Sequence, residues 1–145
     1  MRRLWCDAEA EYSGEHASLT RSWAWPKPVQ QPSVPVLLGC LPTEANFDEI
    51  VGWADGWMPA GSNADRFAAG LQTLRDRWLA AGRSESGPTI WVMQDVDDDA
   101  KLREQLDRFR SLGVAQVLID IPTASREEIL PILDRCSQVF ATASD

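Results

Sequence analysis

The chain has one histidine, one tyrosine and three cysteines in 145 residues. Each scarcity excludes something. His16 stands in a polar stretch with no serine or carboxylate at motif spacing, so no catalytic triad can be built on it and a surface role is expected. Cys6, Cys40 and Cys136 are odd in number and far apart. Without a Cys-x-x-Cys pair or a Cys/His cluster, neither a zinc site nor a disulfide framework is supported, and thiols in a reducing cytosol are expected. Basic residues are also in short supply, 14 against 22 acidic, for a net charge of -8. Nucleic acids and anionic membranes need a basic face, so neither is expected as a partner. Apolar runs stay well short of the ~20 residues of a membrane span. The opening Met1-Arg2-Arg3-Leu4-Trp5 passes straight into Cys6-Asp7-Ala8-Glu9, which is not a signal peptide pattern. The expectation is a cytoplasmic protein with no metal site.

What is present is ordinary in amount, with 44% apolar and 25% charged residues, as in a globular domain with a real core. Seven tryptophans are many for this length. Trp57 and Trp91 fall on predicted strands and are expected in the core. Trp23 and Trp25 are expected to pack under the segment that carries them or at a subunit contact.

Order along the chain is more informative. Residues 1 to about 11 read as the last turns of a helix, with Met1, Leu4, Trp5 and Ala8 on one face. Residues 12–33 form an extended or hairpin excursion that ends in a proline-studded approach, Pro26 to Pro35, which cannot be helical. Val34–Leu38, closed by Gly39, has the length and flanks of a buried strand. A helix from about Thr43 to Trp53 follows, with Thr43 as N-cap and Phe47, Ile50, Val51 and Ala54 on its apolar face. A second short strand lies in Ala54–Pro59. There Asp55 is expected to make structural hydrogen bonds and Gly56 to permit close packing. The next helix runs from about Asn63 to Ala81 with a stripe of Phe67, Leu71, Leu74, Trp78 and Leu79, and Gly82 stops it. A third strand covers Thr89–Met93.

Asp95, Asp97, Asp98 and Asp99 crowd the start of the helix lined by Leu102, Leu106, Phe109 and Leu112. They read as dipole compensation rather than a metal site. Gly113 ends that helix. A fourth strand covers Val114–Ile121. Ser125 to Glu128 form a capping box, and Pro131 is expected to begin the regular part of the last helix, along Ile132, Leu133, Cys136, Val139 and Phe140. The pattern is βαβαβαβα. Near-continuous apolar strands imply a parallel sheet covered by helices, and ligand sites in such folds sit at the C-terminal strand ends.

Trp25-Pro26-Lys27-Pro28-Val29-Gln30 leading to Pro35–Gly39, then Ala54–Pro59 and Ala81-Gly82-Arg83, resembles the luciferase-like monooxygenase superfamily. Its branch using a reduced deazaflavin coenzyme is the most similar. Met1–Trp5 with Tyr12-Ser13-Gly14-Glu15 is similar to a helix end and Tyr-x-Gly-Glu turn in the middle of those enzymes. The resemblance covers roughly residues 1–140. It implies a partial TIM-type barrel, a (βα)4 parallel half-barrel corresponding to strands five to eight, in one domain over residues 1–145. The strands and most catalytic groups of the other half are absent, so no catalytic residue is assigned. It also implies a cofactor phosphate held by backbone amides after the first strand, at Gly39, Cys40 and Leu41. Cys40 replaces the second glycine of the family's usual Gly-Gly, and its side chain is expected to crowd the phosphate. The implied cofactor is the reduced deazaflavin, or alternatively FMN, or none in the chain by itself.

Two further readings stand beside this oxidoreductase: a non-enzymatic half-barrel that dimerises or binds a partner, and an unrelated flavodoxin-like domain. Four parallel strands leave two unpaired edges, so homo-oligomers through those edges, or a missing N-terminal half, are the expected partners.

Overall fold

The computed structural model describes residues 1–30, 33–60, 64–96 and 98–142. The chain divides into two compact units, Met1–Val36 and Leu37–Asp145. The first holds a short helix α1 (Arg2–Cys6) and an antiparallel pair, β1 (Ala10–Ser13) with β2 (Ser18–Ser22). Lys27 ties this unit together by donating to the carbonyls of Leu4 and Asp7, and its ammonium lies 5.1 Å from the centroid of the Trp25 ring. Trp23 and Trp25 are exposed rather than packed under the excursion.

The second unit alternates strand and helix: β3 (Leu37–Cys40), α2 (Glu44–Trp53), β4 (Gly56–Pro59), α3 (Ala64–Ala80), β5 (Thr89–Asp95), α4 (Asp99–Ser111), β6 (Gln116–Asp120) and α5 (Arg126–Thr142). The four strands form one parallel sheet in sequential order β3-β4-β5-β6. Pairing starts at Leu37, later than the expected Val34, because Pro35 has no N–H to donate.

Local signals place the helices. The Thr43 hydroxyl accepts from the Asn46 N–H and caps α2. Asp98 accepts from the Lys101 N–H and caps α4, with Asp99 in the first turn. After α3, the Gly82 N–H bonds to the Leu79 carbonyl and the Arg83 N–H to Trp78. After α4, Gly113 bonds to Arg110 and Val114 to Phe109 in the same way. Both are Schellman stops, and both glycines have positive φ.

Two expectations about the helices are corrected. Leu79 is 53% exposed, because the buried stripe of α3 ends at Trp78. The last helix begins at Arg126 and runs through Pro131, held at its start by Ser125 and Glu128. Asn63 and Asp97 lie outside the described residues.

All four helices lie on the same side of the sheet. Trp57, Ile90 and Val92 point into a cluster with Phe47 and Ile50 of α2, Phe67, Leu71, Leu74 and Trp78 of α3, and Phe109 of α4. Phe47, Trp57, Phe67 and Phe109 stack through this layer with successive centroid distances of 5.5, 5.8 and 5.9 Å. A second cluster joins Leu102 and Leu106 of α4 to Val139 of α5, packed on Val117 and Ile119. Strand alternation then puts Leu37, Gly39, Met58, Trp91, Met93 and Leu118 on the opposite face. Trp91 is accordingly half-buried and not part of the core. A doubly wound sheet carries helices on both faces and reverses its strand order. Sequential order with helices on one face is instead barrel wall, so this unit is an α/β (βα)4 half-barrel and the flavodoxin-like alternative falls. Among the described residues no helix is long and apolar enough to cross a membrane.

Candidate functional site

The C-terminal strand ends gather Gly39 to Thr43, Met58 to Ala60, Gln94 with Asp95, and Asp120 to Thr123 on one rim. Gly61 and Ser62, which follow Ala60, lie outside the described residues.

The β3–α2 loop is held from three sides. The Cys40 carbonyl accepts from the Trp57 indole N–H at 3.0 Å and from the Ala60 N–H at 3.0 Å. The Leu41 carbonyl accepts from the Thr43 N–H at 2.9 Å and from the Asn46 side-chain amide at 2.9 Å. The Ala60 bond turns the backbone polar groups of Cys40 toward β4, so alternation within β3 directs those of Gly39 away from β4. The Cys40 side chain points to the helix-covered side, where it packs against the core cluster. It therefore stays clear of the inner face, and the expected crowding from its Cβ does not arise there. Burial pushes the Cys40 thiol up, and its contact with Trp57 opposes this in part. A thiol so placed is a poor nucleophile.

Gly39 lies on the inner face and is exposed. Its φ is not positive. A Cβ built on it would meet only the Met58 Cε, at 3.8 Å. Nothing in the fold requires glycine at this position, and the space a side chain would fill opens onto the rim. Gly56 is the opposite case: its Cβ would fall 2.0 Å from the Thr89 carbonyl oxygen, so close strand packing alone explains it.

His16 lies exposed between β1 and β2, in the other unit. Sequence reasoning missed the anchoring roles of Trp57 and Asn46. Both bond to backbone carbonyls, which leave no pattern of residue types to detect. It also missed that Asp95 and Asp120 are register neighbours on the rim, both exposed.

The sequence profile of luciferase-like monooxygenases matches residues 1–129. The chain belongs to the luciferase-like monooxygenase family. The family is one of oxidoreductases, and its members typically use flavin-type cofactors. An uncharacterized protein of Mycobacterium bovis and uncharacterized proteins of two Mycobacterium tuberculosis strains are each 38% identical over 141 residues. These matches cover 97% of this chain and 48% of each relative, so the chain spans about half the length of the curated relatives it matches. The crystal structure of the monooxygenase RslO1 from Streptomyces bottropensis superposes with a TM-score of 0.52 at 21% identity, over 77% of this chain and 35% of that one. That likeness bears on the fold alone.

Proposed function

We propose that this chain is the C-terminal half of a luciferase-like oxidoreductase barrel, corresponding to strands five to eight, and that it holds part of the cofactor phosphate at the β3–α2 loop. The cofactor is a reduced deazaflavin or, alternatively, FMN, and when bound it supplies the hydride or oxygen chemistry of the class. The observation that carries this reading is Gly39, a glycine on the rim that the fold does not require. A phosphate oxygen can approach a backbone closely only where no Cβ intervenes.

The chain's own contribution is positional. The N–H group of Gly39 faces away from β4, and that of Leu41 follows in the same loop. The first turn of α2 adds its N–H dipoles beside them. Trp57 and Asn46 fix the loop by holding the carbonyls of Cys40 and Leu41. In a protein of net charge -8, a backbone site is the economical way to hold an anion. A cytoplasmic location is part of the same reading.

Isothermal titration of the purified chain with FMN and with the deazaflavin coenzyme tests the proposal. One of the two is expected to bind, and Gly39→Val should weaken binding by about 1–3 kcal/mol, the range of steric overpacking. Equal affinity of Gly39→Val and wild type would show that the loop is only a turn.

A further inference from the structure

We propose that Trp57, seated in a notch that Gly70 leaves on α3, is the positioning residue that aims the Leu41 N–H at the cofactor phosphate. The proposal rests on the reading that the β3–α2 loop holds that phosphate, and it gives β4 and α3 the task of shaping the loop.

The peptide plane joining Cys40 to Leu41 is fixed from one side. Its carbonyl accepts from the Trp57 indole N–H and from the Ala60 N–H, each at 3.0 Å. The peptide is trans, so its N–H, on Leu41, points opposite to its C=O and away from β4. Among the described residues that N–H has no acceptor, and Leu41 is 49% exposed. A donor left open beside the first turn of α2 is placed to meet an anion. The next peptide adds no donor, because Pro42 has no N–H, and the Leu41 carbonyl is held by Thr43 and Asn46.

Trp57 does more here than fill the core. It is fully buried, and its ring packs against Phe47 and Phe67, as a phenylalanine ring also would. The Ala60 N–H alone satisfies the Cys40 carbonyl, so the indole bond is not needed to pair that acceptor. What the second donor adds is direction: with both lone pairs of the oxygen occupied, the plane of the peptide is fixed. Gly70 makes room for this. It is buried in the interior of α3, where glycine weakens a helix. A Cβ there would come within 2.8 Å of Pro42 Cβ, 3.2 Å of Trp57 Cη2 and 3.4 Å of Phe47 Cζ. The closest neighbour is the loop itself and the next is the indole that holds it.

Titration of the purified 145-residue chain with FMN and with the deazaflavin coenzyme, beside urea unfolding, tests the assignment. Trp57→Phe keeps a ring and removes the donor. Gly70→Ala improves the helix but pushes on Pro42 and the indole. Each should weaken binding about tenfold while retaining the helical circular dichroism. A packing role alone would lower the urea midpoint and leave the affinity of the folded chain intact. Trp53→Phe, which removes an exposed indole bonded to Glu49, should leave affinity unchanged. In the amide NMR spectrum of the wild-type chain, saturation with whichever of the two coenzymes binds should shift the Leu41 resonance. Equal affinity of Trp57→Phe and wild type would overturn the proposal while the phosphate site stands, and a Leu41 resonance that does not move would overturn it too. Binding of neither coenzyme by the wild-type chain would overturn the phosphate reading and this proposal with it. Should Trp57→Phe fail to fold, Gly70→Ala and the wild-type Leu41 resonance still decide.

Discussion

Gly39 and Gly56 stand on adjacent strands, and each follows or opens a short apolar run. One is dictated by its neighbours and the other is not. Gly56→Ala would drive a methyl group into the Thr89 carbonyl, which lies 2.0 Å from the ideal Cβ position. The two strands must separate locally, and urea unfolding should show a loss of about 3 kcal/mol. Gly39→Ala meets only a flexible methionine terminus at 3.8 Å, so its midpoint should stay within about 0.5 kcal/mol of wild type. A large loss at Gly39 would mean that the fold, not a ligand, selects glycine there. The sequence could not separate the two cases, because the difference lies in the distance to the next strand. Cys40 shows the same limit. Its identity suggested crowding at the rim, but strand alternation turns it into the helix layer. Its thiol is disfavoured as thiolate, so any stability it contributes is present below the unfolded thiol pKa and fades as pH rises through the higher folded value. Ellman's reagent at neutral pH should label exposed Cys6 quickly and leave Cys40 and buried Cys136 slow. Fast labelling of Cys40 would contradict its placement on the helix-covered side.

At the scale of elements, short-range signals were legible and long-range ones were not. Thr43, Asp98, Gly82 and Gly113 mark helix ends through bonds spanning a few residues, and each does so in the structure. Thr43→Ala should cost about 1 kcal/mol, measurable by denaturant titration. Arg83 carried no such signal. Its guanidinium donates to the Val51 and Ala54 carbonyls at 2.7 and 2.8 Å and lies 3.9 Å from the Trp78 ring centroid. It thus closes the C-terminus of α2 from 29 or more residues away. Arg75 does the same for α4 by donating to Leu112 at 2.6 Å. Arg83→Lys keeps the charge but cannot span two carbonyls and stack on the ring as a planar group does. It should therefore lose most of what Arg83→Ala loses, about 2 kcal/mol. Equal stability of Arg83→Lys and wild type would reduce the contact to simple charge. The capping box of α5 adds a pH signature. Hydrogen bonds from Ser125 hold the Glu128 carboxyl below its ordinary value. Its contribution is therefore present above the unfolded value of 4.5 and is lost as pH falls through the lower folded one.

At the scale of the molecule, the alternation of strand and helix was readable because proline, glycine and capping residues punctuate it. The side of the sheet on which the helices lie was not. A strand buried on both faces and a strand in a barrel wall both read as short apolar runs. The side is settled by the packing of Trp57, Ile90, Val92, Val117 and Ile119 against α2 to α5. The same clusters bear on how the chain folds. Both are built wholly from residues of the unit Leu37–Asp145, and among the described residues Ala10 is the only buried apolar residue of the other unit. A polypeptide beginning at Leu37 keeps both clusters and every strand of the parallel sheet. It should unfold cooperatively in urea, with a midpoint close to that of the full chain. Limited proteolysis of the full chain should cut first within residues 23–30 or 33–36, described residues that lie outside every helix and strand. If the shortened polypeptide instead shows no cooperative transition, the hairpin unit supplies stability that its few buried side chains do not reveal. The two units would then have to be treated as one folding domain.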